Sequence, residues 1–141
     1  MAKKGATLFE LLVVLGIIGF IISITLFNFE EFVERVSVDL NAKQVVEALK
    51  HAQFLSLTRQ QSHEVVGAGS QLWIKSKGDH PENIVWNSFP RGFTIDANRW
   101  PSFSSFGFAR AGTIIMESQH YAVQIKVSTL GSIRLTEIQH K

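Results

Sequence analysis

Met1-Ala2-Lys3-Lys4-Gly5-Ala6-Thr7-Leu8-Phe9-Glu10 leads directly into an uncharged stretch that runs from Leu11 to Phe29. As a helix that stretch measures about 28 Å at about 1.5 Å per residue, close to the hydrocarbon thickness of a bilayer. A single membrane span is the plain reading. Lys3 and Lys4 precede the run and Glu30, Glu31 and Glu34 follow it, so the positive-inside rule puts the short N-terminal end in the cytoplasm. The expected location is the cytoplasmic (inner) membrane, crossed once, with the C-terminal domain outside. A cleaved secretory signal shares the basic start and the apolar core. Here the apolar run is long for that role. Ser23-Ile24-Thr25 lies inside the run and Asn28-Phe29-Glu30 is a poor cleavage site.

Glu10 is the residue that a plain membrane helix does not explain. An ionised carboxylate drawn toward the bilayer centre costs about 2.5–3.5 kcal/mol on insertion scales, so a partner is expected. Cleavage after Gly5 would create an amino terminus at Ala6, about one helical turn from Glu10, and an amine and a carboxylate could then pair within one subunit or between neighbours. The run Gly5-Ala6-Thr7-Leu8-Phe9-Glu10-Leu11-Leu12-Val13-Val14-Leu15 resembles the prepilin processing signal of type IV pilins and type II secretion pseudopilins. The resemblance implies that a prepilin peptidase cuts after Gly5 and methylates Ala6, and that Glu10 serves filament assembly with other pilins or pseudopilins. The family usually carries Phe where this chain has Ala6.

Beyond the span the helical pattern continues, with Phe29, Phe32, Val33, Val36 and Leu40 on one stripe. Ala42, Val45, Val46, Leu49 and Ala52 form a second stripe slightly out of phase. The helix should leave the bilayer and dock on a domain. Glu31 with Arg35, Asp39 with Lys43, and Glu47 with His51 are spaced to pair along a wet face. The pattern ends near Gln61 or Ser62. The expected organisation is a leader 1–5, a membrane half of the helix 6–29, an amphipathic half 30–62 and a β domain 63–141.

From His63 onward Val, Ile and Phe recur in short runs separated by turn residues, which reads as antiparallel strands. They are expected at Glu64–Val66, Gln71–Lys75, Ile84–Trp86, Phe93–Asp96, Ser105–Phe108, Thr113–Glu117, Tyr121–Ser128 and Gly131–Glu137. Turns are expected at Ser118–His120 and Thr129–Leu130, and surface loops at Ser76–Asn83 and Asp96–Ser102. The fold class is therefore α+β, a long N-terminal helix packed on an antiparallel sheet or sandwich. Phe106-Gly107-Phe108-Ala109-Arg110-Ala111-Gly112-Thr113-Ile114, with Val123-Gln124-Ile125 and Gly131-Ser132-Ile133-Arg134-Leu135, is similar to the C-terminal domain of GspH/FimT-type minor pseudopilins and the related ComGD-type competence pseudopilins. That resemblance implies a pilin-like fold and a minor, structural subunit of a pilus or pseudopilus. It leaves open whether the machine secretes protein, takes up DNA or builds adhesive pili.

Composition narrows the chemistry further. With 141 residues the chain carries one soluble domain of roughly 100 residues beside the span. It has no cysteine, hence no disulfide and no thiol nucleophile. His63-Glu64 begins like a zinc-protease motif, but Gly67 stands where the second ligand belongs. His51, His63, His80, His120 and His140 show no ligand spacing, and no nucleophile elbow or dinucleotide loop is present, so no metal, cofactor or enzymatic activity is expected. Trp86, Phe89, Phe93, Trp100, Phe103, Phe106 and Phe108 are expected mostly in the sandwich core. Net charge is only +2. Arg91, Arg99, Arg110, Lys126, Arg134 and Lys141 would need to converge to bind DNA phosphates; the resemblance implies this as an alternative, since some relatives in the FimT and competence branches are DNA-uptake components.

Overall fold

The computed structural model describes residues 7–77 and 83–141. The leader 1–5 and Ala6 lie outside the described residues, as does the middle of the segment read as a loop after Ser76. Contacts divide the chain into one unit up to Val33 and a second from Glu34 to Lys141.

Helix α1 spans Leu8–Arg59. Thr7 caps it: its Oγ1 accepts the Glu10 N–H at 3.3 Å, satisfying one of the donors left free at a helix start. From Leu8 to Ile24 the side chains are exposed, and the helix is long and apolar enough to cross a membrane. An apolar surface on every side suits lipid rather than water.

Within the second unit α1 buries one face, formed by Val38, Ala42, Val45, Ala48, Leu49, Ala52 and Leu55. The second sequence stripe therefore docks. The first does not, since Phe29, Phe32, Val33, Val36 and Leu40 all stay exposed. Val36 and Val38 are two residues apart, as are Leu40 and Ala42, which turns each pair about 200° around the helix. Three alanines on the docked face leave room for close helix-to-sheet approach. Each buried Leu or Val contributes about 1.5–3 kcal/mol of transfer free energy. The helix stops at Arg59 because Gln60 adopts φ 51°, a left-handed C-terminal stop two residues earlier than the apolar pattern implies.

Ten short strands follow. They are β1 (Ser62–Ala68), β2 (Gln71–Lys77), β3 (Asn83–Ser88), β4 (Thr94–Ala97) and β5 (Ser102–Phe103), then β6 (Ala109–Arg110), β7 (Gly112–Glu117), β8 (Tyr121–Val127), β9 (Ile133–Leu135) and β10 (Gln139–His140). One antiparallel sheet has the order β3-β2-β1-β5-β6, the other β10-β8-β7-β4, and β9 continues alongside β8. Alternation drives the burial. Leu72 and Ile74 of β2, Ile114 and Met116 of β7, and Val123, Ile125 and Val127 of β8 enter one core with the helix face.

Several expected boundaries move. Ser76 and Lys77 belong to β2 and Asn83 to β3, so both described ends of the segment read as a surface loop are strand. Asp96 and Ala97 close β4 and Ser102 opens β5, trimming the next loop in the same way. Ser105–Phe108 is no strand. Gly107 takes φ 83° and its N–H donates to Ser104 O at 2.9 Å, so a tight turn links β5 and β6. The expected strand Gly131–Glu137 is reduced to β9, after which Thr136 N–H still donates to Gln124 O at 2.9 Å and β10 resumes the pairing.

Candidate assembly and anion-binding surfaces

The sites expected for processing and assembly sit at the start of the chain. Gly5 and Ala6 lie outside the described residues. Glu10 occupies the first turn of α1 and is exposed, the third helical residue after the Thr7 cap. Thr7-x-x-Glu10 is the spacing of a capping box, a signal present in the sequence beside the pilin-like one.

The acidic residues after the span divide into different roles. Glu30 and Glu31 are exposed, whereas Glu34 is pulled into the second unit. Its Oε1 accepts from the Ser118 hydroxyl at 2.6 Å and from the His120 N–H at 2.9 Å. Its Oε2 meets His120 Nδ1 at 2.7 Å, which requires the proton on that nitrogen. The Ser118 hydroxyl, the His120 ring and the His120 N–H together hold the Glu34 carboxyl down at a pKa of about 2 against an ordinary 4.5. The β7–β8 turn thus clasps the helix where the unit begins. Nothing in residue spacing announces it. His120 also lies 6.3 Å, ring to ring, from His140, which stacks edge-on against Tyr121.

The candidate cations do not form one strip. Lys126 and Arg134 face each other across β8 and β9, and Lys126 shares a groove of about 410 Å³ with Arg99. Arg99 reaches it because the β4–β5 connection is tied to β7: Asn98 Oδ1 accepts the Thr113 N–H at 2.9 Å, and Asn98 N–H donates to Thr113 O at 3.2 Å. Gly112 lets the Arg99 carbonyl lie directly against its Cα, where a Cβ would overlap that oxygen. Like charges opposite each other destabilise a sheet, and among the described residues none of Arg99, Lys126 and Arg134 forms an ion pair. Lys141 lies at the other end of β8, about 17 Å away at about 3.3 Å per residue, and is paired with Glu117 at 2.5 Å. Arg91 precedes β4 near that same end, and Arg110 belongs to the other sheet. Three of the six residues are brought together.

The aromatic residues also divide. Phe89 and Phe103 are buried, and Trp86, Phe93 and Trp100 pack on the core. Phe106 and Phe108 are instead 83% and 62% exposed. The turn at Gly107 lifts both outward.

No family model matches the sequence, and comparison with curated proteins finds no match. Among solved structures the chain is similar to the minor pseudopilin EpsH from the Type 2 Secretion System of Vibrio cholerae. The TM-score is 0.58 at 12% identity, covering 70% of this chain and 94% of that one. The fold is pilin-like. In this chain the second half of α1 packs on two antiparallel sheets.

Proposed function

We propose that this protein is a minor pseudopilin of the GspH/FimT type. It is anchored in the cytoplasmic membrane by the first half of α1, trimmed after Gly5 by a prepilin peptidase and assembled with other pilins or pseudopilins. The observation that carries this reading is the division of one helix into a half apolar on every side and a half with a single buried face, in a fold similar to that of a minor pseudopilin. Lipid already solvates the apolar half, so helix packing and a partner for Glu10 supply the gain on assembly. In cells with an active prepilin peptidase, mass spectrometry of the purified chain should find Ala6 first, with the added mass of a methyl group. An intact Met1 start in those cells overturns the reading.

The convergence of Arg99, Lys126 and Arg134, without an ion pair among the described residues, favours one second reading, a minor pilin that takes part in DNA uptake. Phosphates that displace counterions from such a groove bind with a steep salt dependence. For the full chain in detergent, Lys126→Glu with Arg134→Glu should reduce the slope of log affinity for duplex DNA against log salt by about 2, near 0.9 per lost cation. An unchanged slope removes this reading.

A further inference from the structure

His120 and His140, separated in sequence by all of β8 and β9, meet at one end of the sheet that holds β8. The pairing of β10 with β8 sets His140 opposite Tyr121, and Lys141 N–H donates to His120 O at 2.8 Å, so the last strand runs back beside the β7–β8 turn. The two imidazole centroids lie 6.3 Å apart, with ring planes inclined by 32°. Both rings are held in place. His120 is tied to Glu34, and His140 meets the Tyr121 ring edge-on at 5.2 Å.

Each ring keeps free the nitrogen that a metal ion takes. Glu34 Oε2 accepts from His120 Nδ1 at 2.7 Å, and the Lys141 main-chain oxygen accepts from His140 Nδ1 at 2.9 Å. An oxygen acceptor keeps the proton of a neutral imidazole on Nδ1, which leaves the lone pair on Nε2 in both rings. Neither Nε2 has a hydrogen-bond partner among the described residues. Metal-bound histidines carry this same arrangement, one nitrogen donating to a carboxylate or main-chain carbonyl and the other on the ion. Glu34 is fixed in turn by the Ser118 hydroxyl and the His120 N–H on its other oxygen, so it orients the ring and is itself engaged.

With about 2.1 Å from ion to nitrogen and about 1.2 Å from nitrogen to ring centre, one ion holds two imidazole centroids about 5.4 Å apart at a tetrahedral angle and about 6.6 Å apart in line. The separation of His120 and His140 falls between these limits. We propose that His120 and His140 bind one divalent transition-metal ion per chain through their Nε2 atoms, with Glu34 as the positioning residue for the first ring. Two imidazole nitrogens suit Zn²⁺, Cu²⁺ or Ni²⁺, whereas Ca²⁺ and Mg²⁺ take oxygen ligands. Among the described residues no third side chain of a metal-binding type joins the pair, so water completes the shell. The ion fastens β10, which pairs through only Gln139 and His140, to the turn that holds Glu34 of α1.

The site lies within one chain and needs no filament, so it stands or falls apart from the pseudopilin reading. The full chain, purified in detergent without a histidine tag, is titrated with zinc chloride in a calorimeter. One ion per chain is expected. His120→Gln and His140→Gln should each weaken its binding by at least about tenfold, since even an outer partner of a metal ligand is worth about 10–100-fold. His51→Gln, at a histidine that packs on Trp86 instead, should leave the binding unchanged. With Zn²⁺ at about 100 times its Kd the thermal midpoint should rise by roughly 10 °C, and Ca²⁺ at the same concentration should not raise it. His140 is exposed, so His140→Gln should keep the midpoint of the ion-free chain and decides the matter even where His120→Gln disturbs the clasp on Glu34. Zinc affinity left intact by His140→Gln overturns the proposal. Equal affinity for Ca²⁺ does so too, as does the lack of saturable binding up to about 1 mM Zn²⁺.

Discussion

Glu34→Ala should lower the stability of the Glu34–Lys141 unit by about 2–3 kcal/mol, because it deletes an acceptor for three hydrogen bonds, two from donors of one tight turn's backbone and hydroxyl and one from an imidazole. The carboxylate keeps 20% of its side-chain surface in contact with water, which trims the effect below the sum of three charge-assisted bonds. Chemical denaturation of the full chain in detergent, followed by tryptophan fluorescence, measures it. The pH dependence has a definite sign. A carboxyl whose pKa falls from 4.5 unfolded to about 2 folded contributes stability that is complete above pH 4.5 and is lost as pH drops toward 2. Glu34→Gln should flatten stability across that window. An unaltered acid limb in Glu34→Gln would show that the clasp does not hold the helix.

Gly112→Ala should cost about 3 kcal/mol, at the upper end of overpacking, since the new Cβ meets a backbone oxygen rather than a flexible side chain. The Arg99 carbonyl cannot withdraw alone. Asn98 beside it holds Thr113 through two hydrogen bonds, so the β4–β5 connection and the start of β7 must separate together. At about 4–8 °C per kcal/mol for a domain of this size, the thermal midpoint should fall by more than about 10 °C. The displacement also moves Arg99 away from Lys126. On the DNA-uptake reading, Gly112→Ala should therefore also weaken the binding of phosphate in that groove. A midpoint within about 2 °C of the unaltered chain would show that the connection yields more easily than its hydrogen bonds imply.

The helix and its membrane half are legible in the sequence because an uncharged run long enough to cross a bilayer suits lipid far better than water. The strands that hold Ile74, Ile114 and Ile125 are legible for a related reason, short runs rich in Val, Ile and Leu between turn residues, with regular alternation in β8. Phe106 and Phe108 also stand two residues apart, as side chains on one face of a strand do, and the left-handed Gly107 between them turns the pattern into an exposed tip. Burial of Val38 instead of Val36 depends on which side of the helix meets the sheets, a choice no periodicity contains. The partners of Glu34 lie 84 and 86 residues away, and those of Lys126 depend on strand register. Such convergence is a product of topology. Thr7, by contrast, is open to view as the first residue of a capping box, beside an acidic residue with a second reading of its own.

Gln60 and Gln61 are all that separates α1 from β1. The strand they feed is the middle member of its sheet, hydrogen-bonded to β2 along one side and β5 along the other. Tension applied along α1 therefore enters the sheet through an interior strand and loads both neighbours in shear, where a helix joined to an edge strand would peel the sheet open one bond at a time.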